Sequence, residues 1–134
     1  MPVIVRQLLR REVGRVVAEA AIPQDEIDAE RLVRLMADIV TGVATNPVLH
    51  RVLTSELATM GVGFLENLPD NVRTLSGHLS PALAAAMDAG RLARRDPEVL
   101  AEWLVRQCFS LAVAPSAHPP ETFFGEVLLP LLRP

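Results

Sequence analysis

The sequence predicts an all-α fold, a single domain of six or seven helices. Three observations predict it. Apolar residues recur at i, i+3, i+4 and i+7 through most of the chain, the spacing that lines one face of a helix. No stretch alternates apolar and polar residues as a half-buried strand would. The eleven prolines fall mostly where periodic segments start or stop.

Each element has its own signal. Residues 3–21 place Val5, Leu9, Val13, Val16, Val17 and Ala20 at helical spacing, with Arg6, Arg10 and Arg11 mostly on the other face, and Pro23 ends the run. Gln24-Asp25-Glu26 then supplies acids that suit the positive end of a helix dipole, and an apolar stripe from Ile27 to about Ala44 follows. Asn46-Pro47 reads as an N-cap with proline at the first helical position, and Val48, Leu49, Val52, Leu53 and Leu57 continue at the helical period. Met60-Gly61-Val62-Gly63 is a weak helical stretch, because each glycine costs about 1 kcal/mol relative to alanine. Leu68-Pro69-Asp70 is expected to break or kink the helix. Residues 71–89 are helical again, with Pro81 either kinking this helix or opening a new turn behind Ser80, and Gly90 is the expected C-terminal cap. Asp96-Pro97-Glu98 is a complete helix start, and this helix runs to about Ala114 before Pro115. The last helix begins near Pro120-Glu121 and carries Phe124, Val127, Leu128 and Leu131, with Pro130 distorting its final turn.

Composition bounds the function. The 134 residues suit one ordinary domain, and a chain that is 50% hydrophobic and 22% charged has the balance of a globular protein. Thirteen arginines and no lysines face sixteen acids, a net charge of −3, which excludes a whole-chain polycation for nucleic acid. One cysteine, Cys108, excludes an internal disulfide framework and a cysteine-only metal cluster, and fits a reducing compartment. The charged start lacks the apolar core of a secretory signal. The longest uncharged run, residues 107–120, holds Gln107, Ser110, Ser116, His118 and three prolines, so no membrane span is expected and the location expected is cytoplasmic.

Chemistry-bearing patterns are sparse. His50, His78 and His118 lie far apart and share no metal-ligand spacing. Gly61-x-Gly63 lacks the third glycine and the preceding strand of a dinucleotide loop. The serines have no nucleophile-elbow context. Cys108, on an apolar helix, reads as a small core residue rather than a catalytic thiol. Glu12, Glu19, Glu56, Glu66, Glu98 and Glu102 read as solvated helix charge, although Glu98 and Glu102 lie one turn apart. An acid–base or metal enzyme would need a convergent set such as His50 with Glu56 and Glu66. The expectation is therefore no enzyme, no cofactor and no metal. Arg6, Arg10 and Arg11 are too few, beside Glu12 and Glu19, to carry DNA binding, and Arg91, Arg94 and Arg95 follow a helix end where cations complement the dipole.

Two features stand out. The helices at 97–114 and 120–132 are apolar on more than one face, and such helices in a small domain point to a partner subunit, most simply a symmetric one. Met36, Met60, Phe64, Met87 and Trp103 are adaptable side chains of the kind that line cavities for apolar ligands, and also fill ordinary cores.

These segments also carry a resemblance. Ala89-Gly90-Arg91-Leu92 followed by Arg95-Asp96-Pro97-Glu98-Val99-Leu100-Ala101-Glu102 resembles the stretch before the first dimerisation helix of TetR-family transcriptional regulators. Asn46-Pro47-Val48-Leu49-His50-Arg51-Val52-Leu53 with Glu56 looks like another helix of that family, and Val127 to Pro134 is similar to a common C-terminal ending. Residues 7–20 look like the tail of the helix that joins the DNA-binding and sensor domains. The resemblance covers nearly the whole chain, but only the C-terminal half of such regulators; the helix-turn-helix is missing. It implies that residues 1–134 form an effector-binding and homodimerising domain of a repressor, with residues 1–20 as the connecting helix. A small apolar ligand would enter among the helices, shift the connecting helix and lower operator affinity, a coupling between two sites. DNA would be reached only through the missing domain. Candidate ligand contacts, picked for apolar, adaptable or isolated polar character, are Met36, Ile39, Met60, Phe64, Leu83, Met87, Trp103, Gln107 and Cys108. The candidate dimer interface is Val99, Trp103, Phe109, Phe124, Val127, Leu128 and Leu131, on two helices that would form a four-helix bundle across the two-fold. The alternative is a helical protein–protein interaction or dimerisation module that takes no small molecule.

Overall fold

The computed structural model describes residues 7, 11, 12, 14, 15, 27–51 and 61–134, with 61–68 described by their backbone alone. Regular structure among them is helical, and no strand occurs among the described residues.

Helix α1 spans Ala29–Thr45. Asp28 caps it: its Oδ1 accepts the Arg31 N–H at 2.8 Å, satisfying one of the donors that a first turn leaves unpaired. The acids at 24–26 expected to open this helix fall outside the described residues, and Asp28 holds the cap. At the other end the Asn46 N–H donates to the Gly42 carbonyl at 3.0 Å. The Asn46 side chain then opens a second helical stretch at 47–51, its Oδ1 accepting from Val48 and Leu49 N–H at 3.0 and 3.1 Å. The N-cap reading of Asn46-Pro47 is thus realised.

Helix α2 spans Gly61–Asp88, and both Pro69 and Pro81 lie inside it. The break expected at Leu68-Pro69-Asp70 does not occur, nor does a new helix begin at Pro81. Each proline removes one backbone donor and crowds the carbonyl four residues earlier. Both are exposed, so water can take the freed carbonyls. The helix ends as the sequence predicts. Gly90 has φ +77°, the Gly90 N–H donates to Met87 O at 3.0 Å and the Arg91 N–H to Ala86 O at 2.9 Å. This pair of bonds is the Schellman closure, which requires a left-handed residue that glycine adopts without a Cβ clash.

Helix α3 spans Pro97–Val113, with the Asp96 carboxylate accepting from Glu98 and Val99 N–H at 2.9 and 3.1 Å. Helix α4 spans Pro120–Leu132 and contains Pro130.

The principal pairings are α2 against α3 and α1 against α4, with a smaller contact between α1 and α3. One core joins them. Leu32 and Met36 of α1, Leu83 and Met87 of α2, Leu104 of α3, and Phe124, Leu128 and Leu132 of α4 all belong to it. Each large side chain fully removed from water contributes on the order of 2 kcal/mol. The turn after α2 ties the ends together: Arg91 Nε donates to the Ile27 carbonyl at 3.1 Å, and the Ala93 N–H to the Leu132 carbonyl at 2.8 Å. No described helix is long and apolar enough to cross a membrane.

Candidate ligand site and association surface

The side chains selected as ligand contacts divide into three groups. Met36, Leu83 and Met87 are buried together in the shared core, and Ile39 and Cys108 pack against it half-buried. Helical spacing on α1, α2 and α3 turns these residues towards one another across the principal pairings. The closest polar contact in this group is sulfur to sulfur: the Cys108 thiol donates to Met36 Sδ at 3.8 Å. Burial pushes the Cys108 thiol up to about 12 from its ordinary 9.0, so it is protonated and unreactive at neutral pH. That matches its reading as a core residue. Gln107 is half-buried next to it. Trp103 does not join the group: it is 36% exposed and outside the core. Met60 and the side chain of Phe64 lie outside the described residues, as do Glu56 and the side chain of Glu66.

The residues selected as an interface also divide. Val99 (66% exposed), Trp103, Val127 (51%) and Leu131 (38%) present large apolar surface to solvent. Val99 and Trp103 stand one turn apart on α3, and Val127 and Leu131 one turn apart on α4. Phe124 and Leu128 are instead fully buried in the chain's own core. The stripe Phe124, Leu128, Leu132 faces inward towards α1, and the neighbouring stripe Val127, Leu131 faces out. Both have helical spacing, so periodicity alone could not assign them. Phe109 is half-buried and engaged in a further contact. Nor do α3 and α4 form one of the principal pairings; α1 packs against both.

Two arginines of the basic cluster at 91–95 are held by contacts within the chain. Arg91 reaches the Ile27 carbonyl, and Arg94 pairs with Asp88 at 2.7 Å. Glu98 and Glu102 are exposed, and Glu102 pairs with Arg106 one turn on. His50, His78 and His118 are exposed, and among the described residues no group of three or more His, Cys, Asp or Glu side chains is placed to hold a metal ion.

Glu12 departs from the sequence reading. It is 7% exposed, not solvated, and its Oε2 accepts from Asn46 Nδ2 at 3.1 Å and from Arg15 Nη2 at 3.0 Å. A signal for this was present: Glu12 lies three residues after Leu9 and four before Val16, on the apolar stripe of its own segment. The charge type obscured the position.

Compared with known proteins, the chain matches no family model, no curated protein and no solved structure.

Proposed function

We propose that this chain is the effector-sensing and dimerisation domain of a TetR-like transcriptional repressor, cytoplasmic and homodimeric, which binds a small apolar molecule and thereby releases DNA held by a helix-turn-helix domain outside this sequence. The observation that carries the reading is the exposed apolar pairs Val99–Trp103 and Val127–Leu131, on the two helices that the resemblance assigns to dimerisation. Exposed large apolar side chains grouped on helix faces mark association sites in small soluble domains. The all-α fold supports the reading, as does the Gly90 turn leading to the Asp96-Pro97 start of α3, where the quoted motif falls. Ligand contacts would come from Met36, Ile39, Met87 and Cys108, among which the unbranched methionines and the small cysteine can repack around an apolar guest.

Native mass spectrometry tests the association. At tens of micromolar the wild type should appear at twice 14.6 kDa, and Val127→Glu with Leu131→Glu should leave 14.6 kDa species. Wild-type protein running only at 14.6 kDa would end the dimer claim. Thermal unfolding against a panel of apolar compounds tests the sensing: a hundredfold excess over Kd stabilises by about 2.7 kcal/mol.

A second reading, an association module with no small-molecule ligand, is favoured by the tight burial of Met36, Leu83 and Met87 in the core. A persistent dimer that no compound in the panel stabilises would select it.

A further inference from the structure

Asn46 stands at a corner of the fold. Its backbone N–H closes α1 on Gly42 O, and its Oδ1 accepts from the N–H groups of Val48 and Leu49. With Oδ1 committed to two donors, the orientation of the side-chain amide is fixed by the network. Nδ2 is therefore directed away from the cap, and there it meets Glu12 Oε2 at 3.1 Å, a partner 34 residues earlier in the chain. Glu12 and Asn46 are 7% and 8% exposed, whereas the other partner of the carboxylate, Arg15, is mostly in solvent.

A contact of this kind is either made or broken. Apolar packing can slide by fractions of an ångström at little cost, but a hydrogen bond weakens steeply outside a narrow range of distance and angle. A helix shift of one residue, about 1.5 Å, exceeds that range. Once parted from Asn46, the carboxylate has a way out: it can follow Arg15 towards water, which avoids an uncompensated buried charge. We infer that Glu12 and Asn46 form a conformational latch, which registers the segment carrying residues 11–15 against the corner between α1 and the 47–51 stretch. A movement of either helix end at Asn46 is then transmitted to residue 12 as an opening of the latch. The inference holds whether or not the chain senses a ligand or dimerises, because it rests on contacts within one chain.

Amide hydrogen exchange of the full chain by NMR tests it. Asn46→Asp keeps a side-chain oxygen for the cap, at which aspartate and asparagine are equivalent, but removes the donor and sets a second carboxylate against Glu12. The amides of Gly14 and Arg15 should exchange about tenfold faster, equivalent to about 1.4 kcal/mol and towards the lower end of what a hydrogen bond to a charged group contributes. Val48, Leu49, Leu104 and Leu128 should keep their protection. Glu12→Gln combined with Asn46→Asp reverses the polarity of the contact, since the new amide can donate to the new carboxylate, and should restore most of the lost protection at Gly14 and Arg15. Three results would overturn the latch: unchanged exchange at Gly14 and Arg15 in Asn46→Asp, an equal loss spread to Leu104 and Leu128, or a double variant no better protected than the single one.

Discussion

Raising the pH from about 8.5 to about 10.5 should cost the folded chain about 2 kcal/mol of stability through one side chain, Cys108. The residue as a whole is half-buried, but its sulfur turns inward onto Met36 Sδ at 3.8 Å. Loss of hydration disfavours the thiolate and moves the thiol from 9.0 to about 12. Between those two values the unfolded chain has lost the proton and the folded chain retains it. The unfolded state binds fewer protons, so stability is fully present below 9.0 and declines as pH rises above it. The slope approaches 1.4 kcal/mol per pH unit, and the roughly one and a half units above 9.0 give the total of about 2 kcal/mol. The composition isolates the effect. The chain has no lysine, no tyrosine and one cysteine, and these are the side-chain types whose ordinary values fall near this range. Urea unfolding of wild type and Cys108→Ala at both pH values measures it. The alanine variant should start about 1 kcal/mol less stable because of the small cavity, yet lose far less on raising the pH. Equal losses in both proteins would refute the reasoning, because they would mean that the folded thiol ionises like a solvated one.

Three further outcomes follow from the packing and the helix ends. Phe124→Ala should destabilise by about 3–5 kcal/mol in denaturant unfolding, since Phe124 is fully buried and meets Phe123 edge-on at a ring separation of 5.6 Å. Gly77→Ala should raise stability by about 0.5–1 kcal/mol, because the new methyl projects into open space from an exposed helical position. Gly90→Ala should lower it by about 1–2 kcal/mol despite equally open space, because φ +77° is strained for a residue with a Cβ; thermal melts of the two variants moving the same way would contradict this contrast.

How far the fold could be read from the chain is clear at particular residues. Gly90 and Asp96-Pro97 act through their immediate neighbours, one through a left-handed backbone and the other through a carboxylate two or three residues from the donors it takes, so both helix ends were legible. At Pro69 and Pro81 the sequence left a break and a kink both open, and the uninterrupted 28-residue α2, packed along α3, removes only the break, because proline disfavours a helix without forbidding it. For the residues picked as candidate sites, burial and grouping can be compared with the sequence reading. Met36, Leu83 and Met87 do come together, but assigning Phe124 and Leu128 to an interface and Glu12 to solvent failed for one shared reason. Periodicity names a face of a helix, and only the partner of that face, far away in the sequence, decides whether it meets the chain's own core.

The pairing of α1 with α4 also sets the order in which the molecule can be completed. Leu32, Val33 and Met36 are made some ninety residues before Phe124 and Leu128 of the helix that packs on α1. While the chain is still growing α2 can dock on α3 and Met36 of α1 can meet Cys108 of α3, yet the part of α1 that packs on α4 stays uncovered until residues 120–132 have been made. Such long-range closure slows folding relative to a bundle of sequential neighbours. The growing chain thus presents that strip of α1 to chaperones and to other copies of itself, and α4 is the lid that ends the exposure.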